Sequence, residues 1–352
     1  MFRLSLVALA ALAVVPAARA GDKMPAPQTF GTASQKSAHP DIHRGSVTFS
    51  PDGKKLAWMY HTPDAADPKE GGLEVHLWDA AKDRPLATMR ATLDRSFAFG
   101  PIRFTPNGKQ LYAGSFRVLS LFEDLGGEKE KLRNNVSMWL VLAGGRELMT
   151  LVGDIGTREL AFEAAAVTPD SKFMVAACSK QVRVWKIPDN KDERTTDIPV
   201  TTKLVIAADA SVVAGTGADK AVHVYKTADG KEALKLPNAS RALGFAPDGK
   251  RVAVIEGDKI AVYEVDTGKQ LWAVSGKLGK DADLLQRFDW SADGKHVAWN
   301  DDGRITVAGA DDGKTQRSWM GQPGPVALSP DGGKLALAAA DGTALMWDLT
   351  KK

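Results

Sequence analysis

The residue types best able to do chemistry are few and scattered: six histidines and one cysteine among 352 residues. His39 and His43 stand four apart, the spacing of a metal pair on a helix face. Pro40 lies between them and breaks such a helix, so no metal site is assigned there. His76 and His223 fall at matching places in two repeats, which reads as a shared outward slot. His61 and His296 have no evident partner in the sequence. Cys178 sits in the apolar run Val175-Ala176-Ala177-Cys178 and reads as a buried structural thiol, the usual fate of a free cysteine. Being alone, it forms no intramolecular disulfide, so packing must hold the fold. The chain has no GxSxG elbow, HExxH pair, phosphate-binding GxxxxGK[S/T] loop or CxxCH attachment site. No catalytic residue, metal or cofactor is therefore assigned. A binding role is assigned to Glu163, Lys203, Arg241 and Arg287, each three or four residues before a repeated turn motif.

The elements that must position those four are set by repetition. The turn is written FSPDG from Phe49, FTPNG from Phe104, VTPDS from Val167 and a worn IAADA from Ile206. It returns as FAPDG from Phe245, WSADG from Trp290 and LSPDG from Leu328. The 279 residues from first to last anchor hold six intervals of about 46, the size of a propeller blade with insertions. Before each turn stands a short apolar strand, after it a second, and then a third ending in an aromatic. Those aromatics are Trp78, Trp139, Trp185, Tyr225, Tyr263 and Trp347, with Ala308 in the sixth repeat. From the third repeat on, anchor and third-strand residue are always 18 or 19 apart. Strands apolar on both faces suit a sheet sandwiched between two others. Eight Asp-Gly pairs punctuate the chain. Both residues tolerate the positive φ of tight hairpins, so these aspartates read as turn formers. With no sustained helical period, the expected fold is an all-β, seven-bladed β-propeller of four-stranded antiparallel blades.

These repeats resemble WD-repeat propellers in Ser50-Pro51-Asp52-Gly53 and in the endings Trp78-Asp79 and Trp347-Asp348, over roughly residues 28–352. The Gly-His pair that opens repeats in that family is missing, which implies that its His–Asp–Trp hydrogen-bond networks are absent and that packing replaces them. The run Asp266-Thr267-Gly268-Lys269-Gln270-Leu271-Trp272, followed loosely by 311–319, is similar to the Trp-docking repeats of quinoprotein-like propellers, which also occur in outer-membrane assembly factors.

The third strand of the last repeat lies at 344–349, close to the final residue. A blade without its fourth strand would expose an edge, so residues 28–33 are expected to complete it and close the ring. Turns between first and second strands are short throughout. Long connections lie at 61–72, 123–135 and 275–287, and in up-and-down blades all three emerge on one face. Loops on a rigid scaffold are where recognition sits. The same face carries the entries to the first strands, so Glu163, Lys203, Arg241 and Arg287 are expected at the mouth of the central channel. Three cations there would draw an anionic ligand or an acidic protein loop.

Residues 1–20 read as a signal peptide: Arg3 in a short basic start, an apolar run from Leu4 to Val15, Pro16, and Ala18-Arg19-Ala20 as the cleavage pattern. Twelve residues of helix span only about 18 Å, short of a bilayer core. The rest, 21–352, is expected to be one extracytoplasmic propeller domain, a monomer with no membrane span. The net charge of +3 falls to +1 without Arg3 and Arg19, which leaves no basic field for nucleic acid. The leading expectation is a non-catalytic scaffold that captures a protein or ligand. Its alternatives are a lactonase-like propeller hydrolase and an envelope-assembly factor of the Trp-docking type.

Overall fold

Short strands with tight Asp-Gly turns can bury both faces only by stacking as separate sheets. The structure, a computed structural model, describes residues 24–31, 45–62, 72–92, 102–118, 132–140, 146–154, 162–178, 180–187, 191–199, 201–276, 278 and 286–351. Residues 1–20, read above as a signal peptide, and most of the long connections expected at 61–72, 123–135 and 275–287 lie outside them. Every described regular element is a β-strand.

The first strand, β1 (Gln28–Phe30), belongs to the last sheet. Blade one holds β2 (Ser46–Phe49), β3 (Lys55–Thr62), β4 (Gly72–Asp79) and β5 (Arg84–Thr92). Blade two holds β6 (Arg103–Phe104), β7 (Gln110–Val118), β8 (Leu132–Leu140) and β9 (Arg146–Asp154). Blade three follows with β10 (Phe162–Val167), β11 (Phe173–Cys178), β12 (Gln181–Lys186) and β13 (Lys191–Asp197). Blade four has β14 (Thr201–Ile206), β15 (Val212–Gly217), β16 (Val222–Lys226) and β17 (Glu232–Leu236). Blade five has β18 (Arg241–Phe245), β19 (Arg251–Glu256), β20 (Lys259–Glu264) and β21 (Gln270–Ser275). Blade six has β22 (Phe288–Trp290), β23 (His296–Asp301), β24 (Arg304–Gly309) and β25 (Thr315–Met320). The last sheet has β26 (Val326–Leu328), β27 (Lys334–Ala338) and β28 (Ala344–Asp348), with β1 as its fourth strand.

Backbone pairing among the described residues thus gives seven four-stranded sheets, each antiparallel throughout. The architecture is an all-β propeller of four-stranded antiparallel blades. Innermost strands meet in sequence: β10 with β14, β14 with β18, β18 with β22, β22 with β26, β26 with β2, and β2 with β6. Blade two meets blade three through β7 and β10. Its strands β8 and β9 are described by backbone pairing alone.

The core is a set of layers between blades. One layer packs Phe30, Trp58 and Leu56 against Ala336 and Met346, across blades seven and one. Others pair blades one and two, three and four, four and five, five and six, and six and seven. Phe30 is fully buried, so β1 contributes an anchor to the layer as well as an edge strand. Gln28 pairs with Met346 and Phe30 with Ala344.

Blades one and two differ from the rest. Their second to fourth strands run to 8 or 9 residues, whereas those of blade five have 6. At about 3.3 Å per residue the added two or three lengthen a blade by roughly 7–10 Å. In blade one, Lys55 pairs with Asp79 beside the short first turn, while Thr62 pairs with Gly72 at the far end. The extra length therefore rises on the face of the second-to-third-strand connections.

Candidate functional site

The opposite face is built of self-contained turns. Ser50 Oγ donates to the Asp52 carboxylate, which also accepts the Lys54 N–H at 3.0 Å, and Ser50 Oγ accepts the Lys55 N–H at 2.9 Å. Thr105 with Asn107, Thr168 with Asp170, Ser291 with Asp293 and Ser329 with Asp331 repeat the arrangement. The worn fourth turn uses Asp209 as acceptor for the Ser211 N–H and hydroxyl. The serine or threonine hydroxyl and the backbone hold the Asp52, Asp170 and Asp331 carboxyls below the usual range. These carboxylates are held by the turns they close.

The four residues assigned a binding role enter successive inner strands. Glu163 lies at a register shift in β10, between Phe162 and Ala164, and its side chain is outside the described part. Lys203 lies at the matching shift in β14, between Thr202 and Val205. It is exposed and takes φ 57°. Arg241 opens β18 opposite Ile255 and is half-buried.

Arg287 departs from the expectation of an open cation. It is only 6% exposed, and its Nη1 donates to Asp302 Oδ1 at 2.7 Å. The cause lies in the turn after β23. Asn300, fully buried, accepts the Gly303 N–H at 2.7 Å and donates to the carbonyls of Gln322 and Gly324. That clamp holds Asp302 at φ 47°, with its carboxylate on the guanidinium. The turn itself was legible in Asp302-Gly303, but its folding back so that the carboxylate meets Arg287 has no local signature in the sequence.

Two charged residues inside the ring were not singled out. Asp289 and Arg103 occupy the place just before the turn anchor, where the other blades have Thr48, Ala166, Val205, Gly244 and Ala327. Asp289 Oδ2 accepts the Leu328 N–H at 2.8 Å, tying β22 to β26. Burial pushes its carboxyl up to about 6, against the opposing pull of Arg103. Burial likewise raises the Tyr112 phenol to about 12. Nearby, Ser46 Oγ donates to Gln286 Oε1 at 2.9 Å and accepts the Ile102 N–H at 3.1 Å. This relay links blades six, one and two. A scan of the pre-anchor position for charge among small residues would have found the Arg103–Asp289 couple.

Two histidines sit in carboxylate clusters. His223 has Asp219 Oδ1 on Nε2 at 2.9 Å and Glu232 Oε2 on Nδ1 at 2.8 Å. Lys235 pairs with the other oxygen of Asp219. Burial pulls the imidazole down, but the two carboxylates outweigh it and its pKa lies above the ordinary value. His76 stacks between Trp58 and Tyr60, and Tyr60 Oη donates to Glu74. The carboxylates flank opposite edges of the His223 ring and do not converge on one point. Among the described residues no group of three His, Cys, Asp or Glu is placed to hold a metal ion.

The Trp-docking resemblance has a geometric counterpart at one junction. Trp272 on β21 reaches over to blade six, where its Nε1 donates to the Ala310 carbonyl at 2.9 Å. A Cβ on Gly313 would stand only 2.7 Å from the indole, so glycine is needed for the ring to dock. At the next junction, between blades six and seven, a cavity of about 240 Å³ opens on the short-turn face. It is lined by Val307, Arg317, His296, Gly333 and Leu349, among others.

Comparison with known proteins agrees with this architecture. Residues 172–329 match the family model described as outer membrane protein assembly factor BamB. No curated protein matches the chain. Among solved structures, a chain of the crystal structure of the mitotic checkpoint complex superposes with a TM-score of 0.65 at 14% identity, covering 99% of both chains. At that identity the likeness concerns the fold, a β-propeller.

Proposed function

We propose that this chain is a non-catalytic, seven-bladed propeller that works outside the cytoplasm as a scaffold. Its partner would dock on the face of the second-to-third-strand connections. The observation that carries this reading is the asymmetry of the two faces. One is trimmed to turns whose polar groups are internally satisfied. On the other, blades one and two rise beyond the rest. The likeness of residues 172–329 to an outer-membrane assembly factor supports an envelope setting, and it favours an assembly role over a hydrolytic one. It accords with the signal peptide read in residues 1–20 and the WD-type turns of the blades. No helix among the described residues is long and apolar enough to cross a membrane.

The test is to replace residues 63–71 or 119–131 by two-residue Asn-Gly turns and measure capture of the native partner from envelope extracts by the mature protein. Loss of the captured protein with an unchanged melting temperature is the expected result. Capture equal to that of the parent by both variants would place recognition elsewhere.

A further inference from the structure

The docking slot between neighbouring blades can be followed from sheet to sheet by register. Trp272 lies opposite Val262 in blade five, Leu234 opposite Val224 in blade four, and Arg317 opposite Val307 in blade six. In the first two cases an apolar side chain leans on the glycine of the next blade's turn. Leu234 meets Gly268 and Trp272 meets Gly313. Blade six instead places an arginine in the slot, facing a last blade whose fourth strand comes from the N-terminal side of the chain. That blade therefore has no hairpin turn between its third and fourth strands to receive a docking residue.

The acceptor geometry nevertheless persists. The Ala310 N–H bonds the Lys295 carbonyl, and in the same way the Leu349 N–H bonds the Gly333 carbonyl. Leu349 is thus the counterpart of Ala310, whose carbonyl receives the Trp272 indole. Where blade six holds Gly313 against an indole, blade seven has the cavity of about 240 Å³. A cavity of about 150 Å³ takes a benzene ring, so this one has room for a larger ring but not for a whole drug-sized ligand. Val307 and Leu349 give it apolar walls. The Arg317 guanidinium makes its one side-chain hydrogen bond among the described residues to Met24 Sδ, at 3.6 Å. His296 Nδ1 is engaged by Gln316. Asp331 on the rim is committed to Ser329 and the Gly333 N–H.

The geometry points to a docking pocket at the blade six–seven junction for an aromatic side chain carrying a neighbouring carboxylate, as in an acidic, aromatic peptide segment of a partner. The ring takes the place that Trp272 takes one blade earlier. An indole N–H donates to the Leu349 carbonyl, and the carboxylate pairs with Arg317, whose planar fork suits it. This pocket is on the short-turn face and does not depend on the partner proposed for the opposite one.

N-acetyl-tryptophan and its amide serve as probes, with binding read by saturation-transfer NMR titration. The acid is expected to bind the parent with a Kd of about 1 mM or tighter and the amide about tenfold more weakly, a difference of roughly 1.4 kcal/mol. Arg317→Gln should bring the two probes level. Arg317→Trp should fill the slot from within and abolish binding of both, without lowering the melting temperature. Absence of saturable binding to the parent would overturn the pocket, and so would undiminished binding to Arg317→Trp. Equal affinity of the parent for acid and amide would overturn the role of Arg317.

Discussion

Asp289 and the turn aspartates are shifted in opposite directions, and this dictates how stability should follow pH. Burial raises the Asp289 carboxyl to about 6 from the ordinary 3.8. The folded state therefore binds a proton between about pH 4 and 6 that the unfolded chain has released, and stability falls as pH rises through that window. His223 acts in the same sense, since its raised pKa means that its stabilisation is lost as pH rises through the folded value. Asp52, Asp170 and Asp331 are lowered by their hydroxyl and backbone partners. Their contribution is present above about pH 4 and is lost below it. Stability should thus peak near pH 4. Asp289→Asn should flatten the descent towards pH 7, by at most about 3 kcal/mol from a shift of roughly two units. Partial solvent contact will reduce that figure. Denaturant melts of both proteins from pH 4 to 8 measure it, and parallel profiles for the two would contradict the assignment. Asp289 also shows why this part of the site was hard to read. One carboxylate among 43 acidic residues means little until β22 carries it into the ring beside Leu328.

The element whose role is plainest is β1. Three residues, Gln28–Phe30, supply the fourth strand of a blade whose other strands lie about three hundred residues later in the chain. That closure was legible from β28, since a strand near the final residue leaves an edge that something must cover. The sequence pointed to 28–33, and the pairing uses the first half of that span. Phe30 has no exposure and packs on Trp58, Leu56 and Met346. Phe30→Ala should therefore cost about 3–5 kcal/mol, the usual penalty for emptying an aromatic core position. Thr29→Ala, at an exposed position in the same strand, should change stability by about 0.5 kcal/mol or less. Chemical denaturation with a shared slope for parent and variants gives both numbers. A Phe30→Ala loss under about 1 kcal/mol would show that the strand is held by its backbone pairing alone. The same scale shows where repetition stops informing. Turn spacing locates strands, and Asp302-Gly303 marks a turn, but neither gives the bend at Lys203 or the direction of the Asp302 carboxylate, which depends on the Asn300 contacts across the blade.

At the scale of the whole ring, the two faces are chemically distinct, and so the charges on them should be separable by experiment. Lys203 and Arg241 enter inner strands on the elaborated face, whereas Lys54 and Lys250 sit in the short turns opposite. Arg287, closed off by Asp302, is a poor reporter of binding, because reversing it would set a buried carboxylate beside another acid and destabilise the fold. If an anionic partner approaches the channel mouth, Lys203→Glu with Arg241→Glu should weaken its binding at low salt by about tenfold or more. Steering by surface charge is strong only within the Debye length, about 10 Å at 0.1 M and about 3 Å at 1 M. The gap between parent and double variant should therefore narrow sharply at high salt. Lys54→Glu with Lys250→Glu should leave affinity unchanged at either concentration. Each of these four lysines and arginines is at least partly open to solvent, so equal melting temperatures are expected throughout and differences in affinity report recognition rather than folding. A channel-mouth double variant that binds like the parent at 0.1 M salt would instead shift recognition to the raised hairpins of blades one and two, whose strand lengths already set them apart from the rest of the ring.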